Sequence, residues 1–518
     1  MNPTRSIRFA RRHCLAGAAA AAATLALPNL HAQQERRGDA RPSPQHFGRL
    51  FPQLPAFAEA TPPMLGALAD LGRAGGIMDA KDPLSAGPVA LITDPALSAN
   101  NPNAAMPNGA AGSTFIGQFV DHDITFDVSS RLGVAAVPQR MPNARSAALD
   151  LDSLYGAGPV ADPTLYDGAD RAKFKVESGG AFEDLPRLAD NRALIADPRN
   201  DEHVMISGLQ AAMMLFHNRV VDRVRAGGES DDARVFAAAR RIVTWHYHWI
   251  VLTELLPSLV GREMVNDVLH ERRERLFRPD AGEGFMPVEF QGAAYRFGHS
   301  LARPSYRANL KGDRGQPFFA FLFDPRAEGQ ADPSDLRGGA RAARRFVGWQ
   351  TFFDFGDGEV KPRKLIDTRI STPLFHLPLG AIADGRAPTS LPQRNLLRQL
   401  TWQMPSGQAI AHAMGVPALR AGDLAELAGY GVHLERSTPL WYYVLKEAQL
   451  ATGGQTLGPV GGRIVAEVLI GLMQSDRASW LHGLPQWRPT LPSRRGAGEF
   501  DMVDLLTLAG VDPKSRGQ

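Results

Sequence analysis

The chain of 518 residues has a single cysteine, Cys14, and no uninterrupted apolar run of about 18 residues beyond Ala32. The first absence excludes an internal disulfide, so stability must come from packing, with bound ions as a further source open to it. The second means that no membrane-spanning helix is expected beyond that point. Charge of one sign is lacking too, since 57 Lys+Arg stand against 54 Asp+Glu. With no Lys/Arg block that carries interleaved aromatics, a nucleic-acid partner is not expected. No repeat, no sustained β alternation and no compelling linker divide the sequence. At 44% hydrophobic and 21% charged residues it is globular, and one large, mainly α domain with little β-structure, spanning 46–515, is the economical reading.

The N-terminus has what the rest lacks. "RSIRFARRHCLAGAAAAAATLALPNLHAQ" joins a basic start to an Ala-rich apolar run and a small residue at a plausible cut after Ala32. Residues 1–32 therefore read as an export signal. Arg11-Arg12-His13-Cys14-Leu15 gives it a twin-arginine character, the alternative being an ordinary secretion signal with a chance Arg pair. Its removal takes Arg5, Arg8, Arg11, Arg12 and Cys14 but no acid, so the formal charge falls from +3 to −1 and thiol chemistry disappears. A periplasmic or secreted protein is expected. Residues 33–45 form a polar, flexible lead, and Leu97–Gly112 and Gly179–Asp190 read as long loops.

Four stretches carry chemistry. In "FIGQFVDHDITFD", Phe115, Phe119, His122 and Phe126 fall at helical spacing, so His122 shares an apolar face with Gln118 one turn before it. Asp121 and Asp123 then project about 100° to either side and serve different neighbours. A histidine at a cleft edge can move protons, although alone it equally suits a satisfied core position. In "LIADPRNDEHVMISGLQAAMMLFHNRVVDRVR", Asp197 suits an N-cap and Pro198 the first helical position. Arg199 and Glu202 then open a stripe that continues through Ile206, Leu209, Met213, Phe216 and Val220. Burying those charges is costly without a partner, which is either a mutual Arg199–Glu202 pair or a polar ligand. "YRFGHSLARP" sets Gly298 beside His299, where a flat group could approach a neutral imidazole, with Arg296 three residues earlier. "LPQRNLLRQLTWQMPSGQ" adds Asn395, able to hydrogen-bond the far ring nitrogen, and Arg398, able to meet an anion.

Together, in this order, "GQFVDHD", "LDLDSLYG", "DPRNDEH" with "LFHNRV", "YRFGHSL" and "RNLLR" resemble a bacterial member of the animal-type haem peroxidases, the peroxidase–cyclooxygenase superfamily. The correspondence runs from Phe115 to about Asp476. The resemblance implies haem b and calcium as cofactors, with hydrogen peroxide and a small electron donor (halide, thiocyanate, phenol or amine) as partners. By that resemblance His122 is the distal histidine, Arg199 the distal arginine and Gln118 the glutamine of a small-anion site. His299 is the proximal iron ligand and Asn395 its hydrogen-bonding partner. Asp121 and Glu202 match carboxylates that can be ester-linked to haem, Arg296 and Arg398 the arginines that meet its propionates. Asp123, Ser146, the Ala148 carbonyl, Asp150 and Asp152 match a calcium loop, with Asp152 where a serine is usual. His203 follows Glu202 where one vertebrate member has a haem-bonded methionine, so that sulfur link is excluded.

Two alternatives stand beside a peroxidase. A haem fatty-acid dioxygenase of the same superfamily needs a radical-forming tyrosine at the place of Arg296, and Tyr295 is one position off, about 100° away on a helix. A non-catalytic haem-binding adhesion or matrix protein would not require His122, Arg199 and His299 together. His217 reads as structural, His246 and His248 as packing residues too far apart in direction to share a metal, and "KGDRGQ" as a turn.

Overall fold

Helices form where apolar residues recur at three- and four-residue spacing beside a usable cap. The computed structural model describes residues 45–97, 109–178, 181–270, 275–339, 342–382 and 384–518. The expected export signal, the lead up to residue 44, and residues 98–108 of the first expected loop lie outside the described residues.

α1 is Pro62–Leu71, where Thr61 accepts from the Met64 N–H at 3.4 Å and prolines open the first turn. α2 is Gly112–Ile124, α3 Val204–Ala226 and α4 Asp232–Ile250. α4 runs on through a π-helical segment, Val251–Leu255, into Leu256–Val260. Pro257 lacks the N–H that a continued α ladder would use, which accounts for the break. α5 is Leu391–Thr401, α6 Leu440–Thr452, α7 Pro459–Ser475 and α8 Met502–Ala509. α1 packs on α5, α3 on α2, α4 and α8, and α6 on α5 and α7. Their buried faces, among them Phe119, Phe216, Trp441 and Tyr443, belong to one hydrophobic core.

The expectation of a mainly α fold with little β-structure holds, although the sequence did not locate the strands that are present. β1 (Ser305–Asp313) and β2 (Gln316–Phe321) form an antiparallel hairpin, closed where "KGDRGQ" turns with Arg314 and Gly315 at φ 54° and 84°. Register shifts between Arg307, Asn309 and Asp313 interrupt the alternation, which is why periodicity concealed the strands. The expected loop Gly179–Asp190 contains Glu183–Asp184, paired with Glu177–Ser178. Phe47–Gly48 pairs in parallel with Met286–Pro287.

Two helix expectations are corrected. α2 ends at Ile124 and Thr125 is extended, so Phe126 lies outside the helix. The stripe from Arg199 to Val220 is two elements: a 3-10 turn, Pro198–Asp201, capped by Asp197, and then α3, whose cap is His203 with φ −156° and ψ 165°. His203 Nδ1 accepts from the Ile206 N–H at 3.2 Å, a capping role that sequence rules reserve for shorter side chains.

Candidate active site

A cavity of about 260 Å³ is lined by Gln118, Asp121 and His122 from α2, Arg199, Glu202 and His203 from the turn before α3, Tyr295, Arg296, Gly298 and His299, and Arg394 and Arg398 from α5. Leu259, Leu301, Leu374, Leu377, Ile382 and Leu391 supply much of its apolar wall. Every expected catalytic and haem-contacting residue except Asn395 thus faces one space, and Asn395 lies directly behind His299.

His122 is 5% exposed. Burial, with Arg199 adding to it, pushes its pKa down to about 3, so the ring is neutral at ordinary pH. Its Nδ1 lies 2.8 Å from Asn200 Oδ1, and Asn200 Nδ2 donates to Gln210 Oε1 at 2.8 Å. Nε2 has no partner among the described residues and opens on the cavity. The sequence offered no sign of these contacts, because Asn200, inside "DPRNDEH", and Gln210, in the helical run after it, show nothing of which atoms they meet.

Arg199 does not pair with Glu202. Four of its five guanidinium N–H groups are committed: to Asp197 Oδ1 at 3.0 Å and Oδ2 at 2.7 Å, and to the carbonyls of Thr125 and His122 at 2.9 Å each. It therefore clamps the carbonyl end of α2, whose last C=O groups lack helical partners. Phe126 lies under its guanidinium at 4.0 Å. Burial alone would raise the fully buried Asp197, but Arg199 and Arg145 outweigh it and hold the carboxylate ionised.

Glu202 instead accepts from Gln118 Nε2 at 3.2 Å, while His203 Nε2 donates to Gln118 Oε1 at 2.8 Å. Gln118 is thus held at both ends, a constraint on its expected anion role. Burial pushes Glu202 up to about 8 and also raises Asp121, against the pull of Arg296 and Arg199. The Asp121 carboxylate has no hydrogen bond among the described residues.

Asn395 lies 2.7 Å from His299 Nδ1, as expected, but through Nδ2, because Arg296 donates to its Oδ1 at 3.1 Å. Arg296 also donates to the Gln291 carbonyl at 2.8 Å. An imidazole that ligates iron through Nε2 carries its proton on Nδ1 and needs an acceptor there. The acceptor role expected of Asn395 therefore requires Arg296 to leave Oδ1 and the amide to turn. Burial, then Arg296, pushes His299 down to about 3. Arg398 is bound to Asp127 and Ser130, not free, although its Nε is buried without a partner. Arg394, one helical turn earlier, lines the same end and was missed.

Tyr295 stands on a 3-10 turn, Ala294–Phe297, so it differs from Arg296 by about 120°, not 100°. It lines the cavity, and its hydroxyl is buried without a partner.

Asp123 points away from the cavity and meets Asp150 and Asp152, with ligand atoms within 4.8 Å of one another. Burial and mutual repulsion raise Asp123, and burial, then Asp150, takes Asp152 to about 6. Asp152 Oδ1 is buried with no hydrogen bond. Ser146 Oγ donates to Asp150 Oδ1 at 2.8 Å and its N–H to Asp152 Oδ2 at 3.0 Å. Three crowded acids with an unused oxygen fit a hard cation. Ala148 belongs to the same stretch, with nothing that fixes its carbonyl on the cluster.

His217 accepts at Nδ1 from the Tyr155 hydroxyl at 3.0 Å and donates from Nε2 to the Ala172 carbonyl at 2.9 Å. His246 and His248 likewise bond to separate backbone carbonyls, of Ile242 and Leu149. All three are structural.

The helical fold is of the peroxidase type. Peroxidase A of Dictyostelium discoideum superposes with a TM-score of 0.57 at 16% identity, over 85% of this chain and 89% of that one. Fatty acid alpha-dioxygenase of Arabidopsis thaliana gives 0.54 at 14%, over 84% and 72%, and a variant of the Oryza sativa enzyme with palmitic acid 0.52 at 15%, over 73% and 70%. Residues 130–317 match the animal haem peroxidase family model. Heme peroxidase 2 of Caenorhabditis elegans is 31% identical over 111 residues, 21% of this chain, and probable oxidoreductase PXDNL of Homo sapiens 28% over 203 residues, 38% of this chain. The aligned parts span only 16% and 13% of those relatives' own lengths.

Proposed function

We propose that the cavity holds a haem and that the protein reduces hydrogen peroxide there, then oxidises a small donor such as a halide, thiocyanate, phenol or amine. One observation carries the reading: His122 and His299 line the same cavity, and each leaves Nε2 without a partner among the described residues. The residues fit the group in other respects. A Cβ built on Gly298 meets nothing within 4 Å, which leaves open space beside His299.

His299 Nε2 would bind the iron, with Arg296, Arg394 and Arg398 near the propionates. Arg296 would exchange Asn395 Oδ1 for a propionate, which frees the amide to accept from His299 Nδ1. Asp121 and Glu202 are the candidate ester-forming carboxylates. When bound, the haem supplies the redox chemistry between peroxide and donor.

The protein's own part is to move and hold charge. His122 Nε2, neutral through burial, takes a proton from one peroxide oxygen and returns it to the other, so that the departing group leaves as water. Arg199 sets a permanent positive charge on the same wall and, through two carbonyls, keeps His122 at its station. Asp123, Asp150 and Asp152, with Ser146 and the Ala148 carbonyl, would hold calcium behind α2. Export through residues 1–32 belongs to the same proposal and rests on that segment alone.

The test is stopped-flow absorption of the haem-loaded protein mixed with peroxide and then with bromide, iodide, thiocyanate or a phenol. Wild type should react and be returned by one donor. His122→Ala should keep its haem and react about 10²-fold more slowly or worse. Equal rates in the two proteins would remove His122 from the mechanism.

The runner-up, a fatty-acid dioxygenase, is favoured by one observation: the unpartnered Tyr295 hydroxyl in a cavity with an apolar wall. Oxygen uptake with a fatty acid, lost in Tyr295→Phe, would select it over the peroxidase.

A further inference from the structure

We propose that Asn200 and Gln210 are positioning residues that decide which nitrogen of His122 carries the proton, and thereby make Nε2 the base. The inference rests on the peroxidase reading above.

A neutral imidazole has one N–H and one lone pair, and only the tautomer with its proton on Nδ1 presents a base to the cavity. The group opposite Nδ1 makes the choice. A carboxylate could only accept a proton there, but the group is the Asn200 amide, which has an accepting end and a donating end. If Nδ2 faced the ring, the ring proton would shift to Nε2 and the base would be lost. Gln210 Oε1, 2.8 Å from Asn200 Nδ2, draws the donating end away from the ring. Asn200 Oδ1 is then left to accept from His122 Nδ1 at 2.8 Å.

Neither amide can turn to water, since Asn200 is 0% and Gln210 1% exposed. The two also hang from different elements. Asn200 belongs to the 3-10 turn capped by Asp197, whose carbonyl accepts its N–H at 3.0 Å, and Gln210 to the body of α3. Turning Asn200 alone would set its Oδ1 against Gln210 Oε1, two acceptors at hydrogen-bond distance. With Gln210 Oε1 turned toward Asn200, the chain Gln210–Asn200–His122 runs in one direction, and that direction is chemical information.

Two rate constants read it out in haem-loaded protein: reaction with peroxide, and association of cyanide, which arrives as HCN and must also give its proton to a base. Gln210→Leu removes the acceptor and lets the Asn200 amide turn. Both constants should fall together by about tenfold or more, with haem content and resting absorption unchanged. Gln210→Glu can only accept from Asn200 and should rescue both to within about threefold of wild type, a pattern that a packing role does not produce. Asn200→Asp supplies an obligate acceptor to Nδ1 and gives a second measurement should the Leu variant not fold. It should retain cyanide association within about threefold.

Wild-type constants in folded Gln210→Leu, an equal loss in Gln210→Glu, or a loss in Asn200→Asp as deep as in His122→Ala would each overturn the proposal. His122→Ala separates the two readings. If it reacts with peroxide and cyanide like wild type, the base itself is wrong. If it is slow while Gln210→Leu is fast, only the positioning claim fails.

Discussion

At the scale of single residues, the cavity is organised by hydrogen bonds whose direction is set from outside it. Gln118 is held between a donor, His203, and an acceptor, Glu202. Arg199 spends most of its donors on Asp197 and the end of α2. What remains open is informative: the two imidazole Nε2 atoms, the Asp121 carboxylate and the space over Gly298. The Cβ of a side chain at Gly298 would enter that space with no protein atom within 4 Å, and a leucine would extend from there. Gly298→Leu should therefore fold with an unchanged melting temperature and take up haem at least about tenfold more weakly. Titration of the haem-free protein with hemin, followed by absorption, checks this, and uptake equal to wild type would show that the space beside His299 is not where haem lies. Residue types at this scale were legible in the sequence: His122, Arg199, Glu202, Arg296 and His299 all line the cavity. Apart from Asn395 their partners were not: Asp197, Asn200, Gln210 and Arg394 lie inside the quoted stretches with no sign of what each touches, which is recognised only by which atoms come within about 3 Å.

At the scale of elements, the decisive feature is the break between the 3-10 turn Pro198–Asp201 and α3. A continuous helix would carry Arg199 and Glu202 along one stripe. The break turns Arg199 to α2 and leaves Glu202 on Gln118. The strand-like backbone of His203 pairs with Arg337, and the Gly338 N–H donates to the Glu202 carbonyl at 2.9 Å. A Cβ at Gly338 would lie 1.5 Å from the Asp201 carbonyl oxygen. Gly338→Ala should therefore displace the turn and cost about 3 kcal/mol or more in stability, with haem uptake weakened alongside. Denaturant melts measure the first and hemin titration the second; a melt within about 0.5 kcal/mol of wild type would contradict the contact. Sequence periodicity missed this break because both halves keep helical spacing, and only a segment more than a hundred residues later pins the chain between them.

At the scale of the whole molecule, α2 joins two sites. Its cavity face carries Gln118, Asp121 and His122, and the side behind carries Asp123 to Asp150 and Asp152. Under the calcium reading, chelation leaves three crowded acids, one of them the buried Asp123, in mutual repulsion. Chelator should then lower the melting temperature by about 3–5 °C, calcium should restore it, and Asp150→Asn should blunt the response. Indifference of wild type to chelator and added calcium alike would argue against a cation there.

The sequence by itself determined the helical class, the order of the motifs, and the residue types that reach the cavity. Those follow from local spacing, which fixes which face of a helix a side chain occupies. Only the tertiary structure decided that Arg199 holds Asp197 rather than Glu202, that Arg296 occupies the oxygen of Asn395, that a bulged hairpin follows His299, and that two amides orient His122. These depend on contacts between segments distant in the chain. The direction of a hydrogen bond has no local signature, because the donor or acceptor that sets it arrives from elsewhere in the fold.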